Sequence, residues 1–347
     1  MRIIVTGGAG FIGSHLCKHL LSQGHTVACL DNLSTGRLKN ISDLLSAYPS
    51  TFSLHRVDIN NSMRLQHLFH NFGNSNGGDG YIDTVYHLAA VVGVKRTLEN
   101  PYSVLCTNIQ GTVNVLDAAC KARVRRFVNI SSSEVYGDPV QVPESESSPK
   151  NADLPYAVSK LVGEKYAEVY AQTRGLSTIS LRLFNVYGPR QGDSPYGFVV
   201  GIFVDQVLSG QSPTIFGDGF QTRDFTYIDD CVAMIALAAD CSLSPGEPLN
   251  IGAGAPVTIL DLAERILTLC GKPNQQPEFQ PERPFDIRHR FADVSRMRQV
   301  LVYKPKVDLT QGLSRTIAYY RLYKESKPAS KNKKLLTPLD NQTNPMV

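Results

Sequence analysis

Thr6-Gly7-Gly8-Ala9-Gly10-Phe11-Ile12-Gly13 follows the β-branched run Arg2-Ile3-Ile4-Val5 and opens an amphipathic stretch from Phe11 to Leu21. The spacing Gly8-x-Gly10-x-x-Gly13 between a strand and a helix has a physical cause. A side chain at the tight turn would keep the backbone away from a pyrophosphate, and one at Gly13 would push the helix off the strand. The helix N-terminus meanwhile offers unpaired N–H groups to the anion. Asp31 stands 18 residues after Gly13 at the end of the second β-branched run, where a carboxylate accepts from ribose hydroxyls and repels a 2'-phosphate. The stretch therefore predicts NAD rather than NADP. Arg37 could meet such a phosphate only if Asp31 turned away. Val57-Asp58-Ile59 closes the third strand, at the edge where an adenine would lie or as an ordinary strand-end turn.

Working outward, short β-branched runs alternate with longer helical patterns: Arg2–Thr6, His25–Leu30, Thr51–Val57, Thr84–Leu88, Arg126–Ile130 and Thr178–Leu183 read as buried strands. The expected fold is α/β, a Rossmann-type doubly wound parallel sheet with a smaller C-terminal α/β substrate domain. Residues 1–180 with about 222–250 are assigned to the cofactor half, 181–221 and 251–323 to the second domain, and 324–347 to a flexible basic tail. After about residue 185 Pro and Gly become frequent, although Asp230–Ala239 and Ile259–Cys270 still read as helices. Asn71 to Gly80, rich in Gly and Asn, is expected to be an inert surface loop.

With 347 residues, 42% of them apolar, the chain can bury a large core. The net charge of +4 is mostly in the tail, where five lysines from Lys324 onward face only Glu325 and Asp340. A nearly neutral body without an aromatic-basic stripe argues against a nucleic-acid partner. No apolar run is long enough for a membrane span and no signal peptide precedes the first strand, so a cytoplasmic location is expected. The seven cysteines are scattered without a CxxC pair and read as buried reduced thiols. No metal site is expected: His15 and His19 are spaced i,i+4 but lack a third ligand, and are taken as a solvent-facing pair. His87 is assigned a packing role at a strand end, and Asp229-Asp230 a helix N-cap.

Tyr156-Ala157-Val158-Ser159-Lys160 begins a helical pattern, Tyr156 to Ala171, that sets a phenol and an ammonium on one face. At ~4 Å and an effective dielectric near 20 their attraction is on the order of 4 kcal/mol. That upper bound would bring a phenol down from its ordinary value near 10 by roughly 3, into the range of a general base. Phe127 through Gly137 places Ser131, Ser132 and Ser133 at the C-terminal end of a strand, the edge where open parallel sheets bind ligands.

Together with His87-Leu88-Ala89-Ala90, Leu183-Phe184-Asn185-Val186-Tyr187-Gly188-Pro189-Arg190 and Thr222-Arg223-Asp224-Phe225-Thr226-Tyr227-Ile228-Asp229-Asp230, these motifs resemble the extended short-chain dehydrogenase/reductase family, in its nucleotide-sugar epimerase and dehydratase branch, over residues 1 to about 320. The resemblance implies catalysis by Ser132, Tyr156 and Lys160. It implies cofactor contacts at Gly7, Gly10, Phe11, Ile12 and Gly13, at Asp31, Asn32, Asp58 and Ile59, and at Leu88, Ala89 and Ala90, with Asn108 as a structural asparagine nearby. Substrate contacts are implied for Asn185, Arg190, Phe216, Arg223, Arg283 and Arg290. Arg290 sits near a position limiting the sugar group, where it could narrow the pocket against an N-acetyl group or pair with a uronate.

Within the branch the segments Asn32-Leu33-Ser34-Thr35-Gly36-Arg37 and Phe216 to Asp230 are most similar to UDP-glucose and UDP-N-acetylglucosamine 4-epimerases, which implies a UDP-sugar substrate and transient oxidation at C4. Dehydratases carry an Asp-Glu pair after the Ser/Thr; here Ser133 replaces the Asp while Glu134 remains, which keeps 4,6-dehydration and uronate decarboxylation open as alternatives. A non-catalytic NAD-binding regulator would be expected to have lost Tyr156 or Lys160. The resemblance also implies a homodimer through the Tyr/Lys helix and its neighbour at about 101–121.

Overall fold

A computed structural model of the chain describes residues 1–326 apart from 75–80, 94–96, 98, 192–197 and 284–285. The strands are β1 (Arg2–Thr6), β2 (Thr26–Asp31), β3 (Phe52–Arg56), β4 (Thr84–His87), β5 (Arg126–Ser132), β6 (Thr178–Leu183), β7 (Asn185–Tyr187), β8 (Thr214–Phe216), β9 (Thr222–Tyr227), β10 (Pro248–Ile251), β11 (Pro256–Thr258) and β12 (Glu278–Gln280). Seven of them form one parallel sheet in the order β10-β6-β5-β4-β1-β2-β3. The order reverses between β1 and β4, so the crevice of this doubly wound sheet opens at their C-terminal ends, Thr6 and His87.

Alternation along each strand builds the two core layers. Ile3 and Val5 of β1 face one side, with Val27, Val128 and Ile179, against Leu16 and Leu20 of the helix Phe11–Ser22 and Met234 and Ile235 of the helix Ile228–Ala238. Ile4, between them, faces the other side with Val85 and Phe127. It meets Leu65 and Phe69 of the helix Ser62–Asn74 and Val115 and Leu116 of the helix Pro101–Lys121. Each such side chain, once removed from water, contributes about 1.5–3 kcal/mol. The first layer continues without a break to Leu313, Ile317 and Tyr320 of the helix Leu309–Glu325.

β7, β9 and β11 make a three-stranded sheet and β8 and β12 a two-stranded one, all of them after β6 in sequence. The Tyr/Lys helix, Pro155–Arg174, starts on a proline, whose missing N–H costs nothing there, and stops at Gly175 with φ +68°. It packs along Pro101–Lys121.

Four local expectations change. Asn71–Asn74 belong to the helix Ser62–Asn74, because Phe69 and Gly73 bury one face of it, and the rest of the expected loop lies outside the described residues. Lys324 and Glu325 end the last helix, with the Lys324 ammonium 2.8 Å from Asp205; beyond Ser326 the tail lies outside the described residues. Tyr227, not the Asp pair, is the N-cap of Ile228–Ala238. Asp230 is buried and accepts from Tyr303 and from the backbone N–H groups of Lys306 and Val307, so it anchors a distant loop. Finally, Cys106 is exposed, whereas Cys17, Cys29 and Cys231 are buried free thiols as read. Among the described residues no helix is long and apolar enough to cross a membrane, and no cluster of three or more His, Cys, Asp or Glu could hold a metal ion.

Candidate active site

The ends of β1 and β4 are tied together by polar side chains. Thr6 Oγ1 lies 2.8 Å from His87 Nδ1 and accepts from the Ala89 N–H, while the Leu88 N–H bonds the Thr6 carbonyl. Gly7 follows with φ +71°, and a Cβ there would sit 2.8 Å from the Ala89 nitrogen. At Gly13 a Cβ would fall 2.2 Å from the Gly7 carbonyl oxygen. Both glycines are thus required for the loop to pack. Gly10 leaves the loop open, its added Cβ meeting only the Gly7 oxygen at 3.1 Å. The helix Phe11–Ser22 begins there with no side-chain cap. Its first-turn N–H groups, those of Phe11, Ile12 and Gly13, carry the positive end of the helix dipole into the loop.

Asp31 ends β2, and its carboxylate accepts from Ala9 N (3.0 Å) and Leu33 N (2.8 Å). Burial pushes its pKa up, opposed by those two bonds. The acid anchors the glycine loop first; one further lone pair on each oxygen is left for a hydroxyl. Asn32 and Asp58 are exposed and joined at 2.8 Å across the edge. Ile59, by contrast, is 6% exposed and packs on Gly111, so of the Val57–Ile59 segment only Asp58 presents its side chain to the edge. A loop with glycine at three of its four positions, an uncapped helix start and an acid at the second strand together fit a dinucleotide.

Ser132 ends β5, and its Oγ caps the short turn Ser133–Tyr136 by accepting from Glu134 N. Ser133 is 4% exposed and faces inward, whereas the Glu134 side chain is 39% exposed. Tyr156 and Lys160 rise beside this strand end, with Lys160 Nζ 5.9 Å from the Tyr156 ring centroid. The ammonium donates to the Ile130 carbonyl at 2.7 Å, and burial brings it down to about 8, opposed by Glu164. Tyr156 departs from expectation. Burial, the largest influence, pushes the phenol above its ordinary range; hydrogen bonding with Ser132 pulls it down and the Glu134 charge pushes it further up. The lysine cation, turned toward Ile130, does not win that contest, so the fold alone does not make the phenol acidic.

Asn108 explains how the site keeps its shape. It is 3% exposed, accepts from Val91 N, and donates to the Val91 carbonyl and to Ser159 Oγ, whose own hydroxyl bonds the Tyr156 carbonyl. The β4 loop is thereby fixed to the Tyr/Lys helix. His87 is held between Thr6 and Thr112, and burial followed by the Lys160 charge lowers it to about 3, so it packs as a neutral ring.

The segments beyond β6 bring further expected residues near one another. Asn185 Nδ2 is buried with no hydrogen-bond partner among the described residues, a donor left for a ligand. Arg223 bonds Asp286 at 2.6 Å and the Ile287 carbonyl at 2.7 Å. The Arg283 guanidinium lies 3.8 Å over the Phe216 ring. Phe216, Asp286 and Ile287 line a cavity of about 150 Å³ with Arg288, which the sequence did not single out and which holds Asp218 through two hydrogen bonds.

Arg190 is placed elsewhere: with φ +71° it reaches Asp43 of the helix Ser42–Ala47 at 3.5 Å, on the cofactor side. His15 joins it there, bonding the Pro189 carbonyl at 3.0 Å. Burial, then Arg190, brings this histidine down to about 4, so His15 is not one of a solvent-facing pair.

Arg290 differs most from expectation. It is 2% exposed and donates to the Glu134 carboxylate and the Gly137 carbonyl, with Nε 3.8 Å from Glu144. The guanidinium is thus bonded to Glu134 and to the Gly137 carbonyl beside the Ser132–Tyr156 strand end. Glu144 has no exposed surface, and among the described residues neither of its oxygens is hydrogen-bonded. It lies in an aperiodic loop, which gave the sequence no signal for it.

The profile of the NAD dependent epimerase/dehydratase family matches residues 3–252. The UDP-glucose 4-epimerase of Mycolicibacterium smegmatis is 37% identical over 322 residues, covering 92% of this chain and 99% of that one. UDP-glucuronic acid decarboxylase 1 of Arabidopsis thaliana is 34% identical over 327 residues, covering 92% and 70%. The crystal structure of a UDP-glucose 4-epimerase from Thermotoga maritima with UDP-glucose superposes with a TM-score of 0.85 at 33% identity, covering 93% and 99%. By its glycine loop, its sheet order and these matches, the chain belongs to the NAD dependent epimerase/dehydratase family, in the extended short-chain dehydrogenase/reductase group, and NAD is its cofactor.

Proposed function

We propose that the protein is a UDP-sugar 4-epimerase. The observation that carries the reading is the gathering of Ser132, Tyr156 and Lys160 at the C-terminal end of β5, braced to the glycine loop through Asn108, Ser159, Thr6 and His87. NAD, when bound, supplies the hydride acceptor for C4 and returns that hydride. Tyr156 would take the proton of the sugar 4-hydroxyl as a phenolate, the form that the Lys160 ammonium together with the positive charge of bound NAD would favour against burial, and would give it back; Ser132 would hydrogen-bond the same oxygen and orient it. Lys160, anchored on Ile130, holds a positive charge beside the phenol and would also hold the nicotinamide ribose. Asn185, Arg223 and Arg283 grip the nucleotide diphosphate, for which paired arginines suit bidentate contacts. The 4-keto sugar turns between the two half-reactions, so that reduction on the opposite ring face inverts C4.

Residues 1–180 with 222–250 serve as the cofactor half in this reading, and 181–221 with 251–323 as the sugar half. The helices Pro101–Lys121 and Pro155–Arg174, which leave Tyr102 and Val169 exposed, form a homodimer face.

Glu134 supports a second reading, elimination or decarboxylation after the same oxidation, and a uronate decarboxylase is among the relatives. Ser133 weighs against elimination, because a buried serine cannot protonate a departing hydroxyl. Incubation with UDP-glucose, UDP-N-acetylglucosamine and their uronic acids, followed by NMR of the products, separates C4 inversion from loss of water or carbon dioxide. Products lacking water or carbon dioxide and no C4 epimer would reject the epimerase reading.

A further inference from the structure

We propose that Glu164 is a positioning residue for Tyr156 and Lys160: clamped by Ser131 and Arg182, it sets where their helix stands along β5, and its carboxylate keeps Lys160 charged. The proposal rests on the proposed function only for the first step, oxidation at C4, which elimination and decarboxylation share.

Tyr156, Lys160 and Glu164 follow one another at four-residue steps and so share one face of the helix Pro155–Arg174. That face meets the last three residues of β5. The Ile130 carbonyl accepts from the Lys160 ammonium at 2.7 Å, the Ser131 hydroxyl donates to Glu164 Oε1 at 2.5 Å, and Ser132 hydrogen-bonds Tyr156. Ser131 and Arg182 are direct partners in the register of β5 and β6, so their side chains leave the same face of the sheet, and both end on Glu164. Arg182 donates to each carboxylate oxygen, at 2.9 and 2.6 Å, and with Ser131 fixes the carboxylate in place.

The neighbours of Ser131 are the residues the chemistry uses: Ile130 holds Lys160, and Ser132 stands beside Tyr156. A helix that slid along the strand would break the Glu164 bonds and carry the Tyr156 hydroxyl away by a similar distance. About 1 Å of misplacement is enough to cost on the order of 10²-fold in rate.

Charge adds to position. Burial opposes the Lys160 cation, and the Glu164 carboxylate one helical turn away favours it. The other groups around the ammonium do not replace that anion. Tyr156 shares the helix, His87 on β4 is a neutral ring, Glu134 acts on the phenol, and Arg182 is bonded to Glu164 itself.

The test uses the NAD-loaded full chain and whichever of UDP-glucose, UDP-N-acetylglucosamine and their uronic acids the unmutated protein turns over, with urea unfolding to show that each variant is folded. Ser131→Ala removes the tie between helix and strand and leaves the Glu164–Arg182 pair intact. It should lower kcat about tenfold or more with KM and NAD affinity within about twofold of the parent. Its crystal structure should show the Tyr156 hydroxyl displaced from Ser132. Glu164→Gln keeps an oxygen for Ser131 but loses the charge. The parent's kcat should decline as pH rises through about 8, where Lys160 gives up its proton. In Glu164→Gln that decline should begin about one pH unit lower, because nothing then offsets burial of the ammonium. Should stranding Arg182 unfold this variant, Glu164→Gln combined with Arg182→Gln carries the same comparison.

An unchanged kcat or an unmoved Tyr156 in Ser131→Ala would overturn the positioning role, and an unshifted alkaline decline would overturn the charge role. If no UDP-sugar is turned over yet Tyr156 moves in Ser131→Ala, the proposed function falls and the positioning stands. Turnover that is indifferent to Ser131→Ala sinks only the positioning.

Discussion

Two arginines, each 2% exposed, are held in opposite ways. Arg182 on β6 forks onto both oxygens of Glu164, at 2.9 and 2.6 Å, and uses its remaining nitrogen on the Tyr136 hydroxyl and the Glu146 carbonyl. Ser131 and Asn250 complete that network from Glu164 and Tyr136. Arg290 leaves Nε without a hydrogen bond among the described residues and faces, at 3.8 Å, a Glu144 whose oxygens likewise have none. A closed network of this kind fixes a core, because any missing partner exposes a buried charge. An open one leaves a buried cation and a buried carboxyl incompletely satisfied behind Glu134. The difference separates scaffold from site without reference to motifs.

The comparison breaks first at Arg182. Arg182→Met should cost about 3–5 kcal/mol of stability in urea unfolding, since it strands Glu164; a cost under about 1 kcal/mol would mean that the closed network is no scaffold. Tyr156→Phe should behave inversely. Turnover should fall about 10²-fold or more while NAD titration and unfolding stay near the parent values, and near-normal turnover would remove the phenol from the mechanism.

A subtler effect belongs to Glu144, which burial pushes up from an ordinary 4.5 to about 8. A carboxyl whose pKa is raised by folding favours the folded state fully below 4.5 and loses that contribution as pH rises through about 8. Glu144→Gln, which cannot ionise, should therefore gain stability over the parent progressively between those values, by at most about 1.4 kcal/mol per pH unit. Thermal unfolding at a series of pH values reads this directly, and a pH-independent difference would place Glu144 in an ordinary ion pair. The smallest contrast expected is in Arg290→Lys, about 1 kcal/mol, against a clearly larger loss for Arg182→Lys, because only the latter forfeits a bidentate pair.

Much of the site was legible along the chain where function depends on local spacing. Gly7 and Gly13 had to lack side chains for the loop to close on Ala89 and on itself, and that need is written in a few consecutive residues. Tyr156 and Lys160 share a helix face by arithmetic. The expected effect of that pair was nonetheless wrong, since one turn of helix sets a distance but not a dielectric: burial of the phenol and the Ile130 carbonyl under the ammonium come from other strands. His15 was misjudged for the same reason, its neighbours Pro189 and Arg190 being far away in sequence.

The amino-acid order by itself determined the doubly wound sheet, the dinucleotide loop and a serine run at a strand end beside a Tyr156/Lys160 helix face, because periodicity, glycine and strand-end position act within a few residues, while the choice of Ser132 from that run came from the family resemblance. Only tertiary structure decided that Arg290 is buried between Glu134 and Glu144, and that Asn108 braces the site through Ser159. Those outcomes depend on which distant side chains exclude water from one another, and burial is a property of the packed chain.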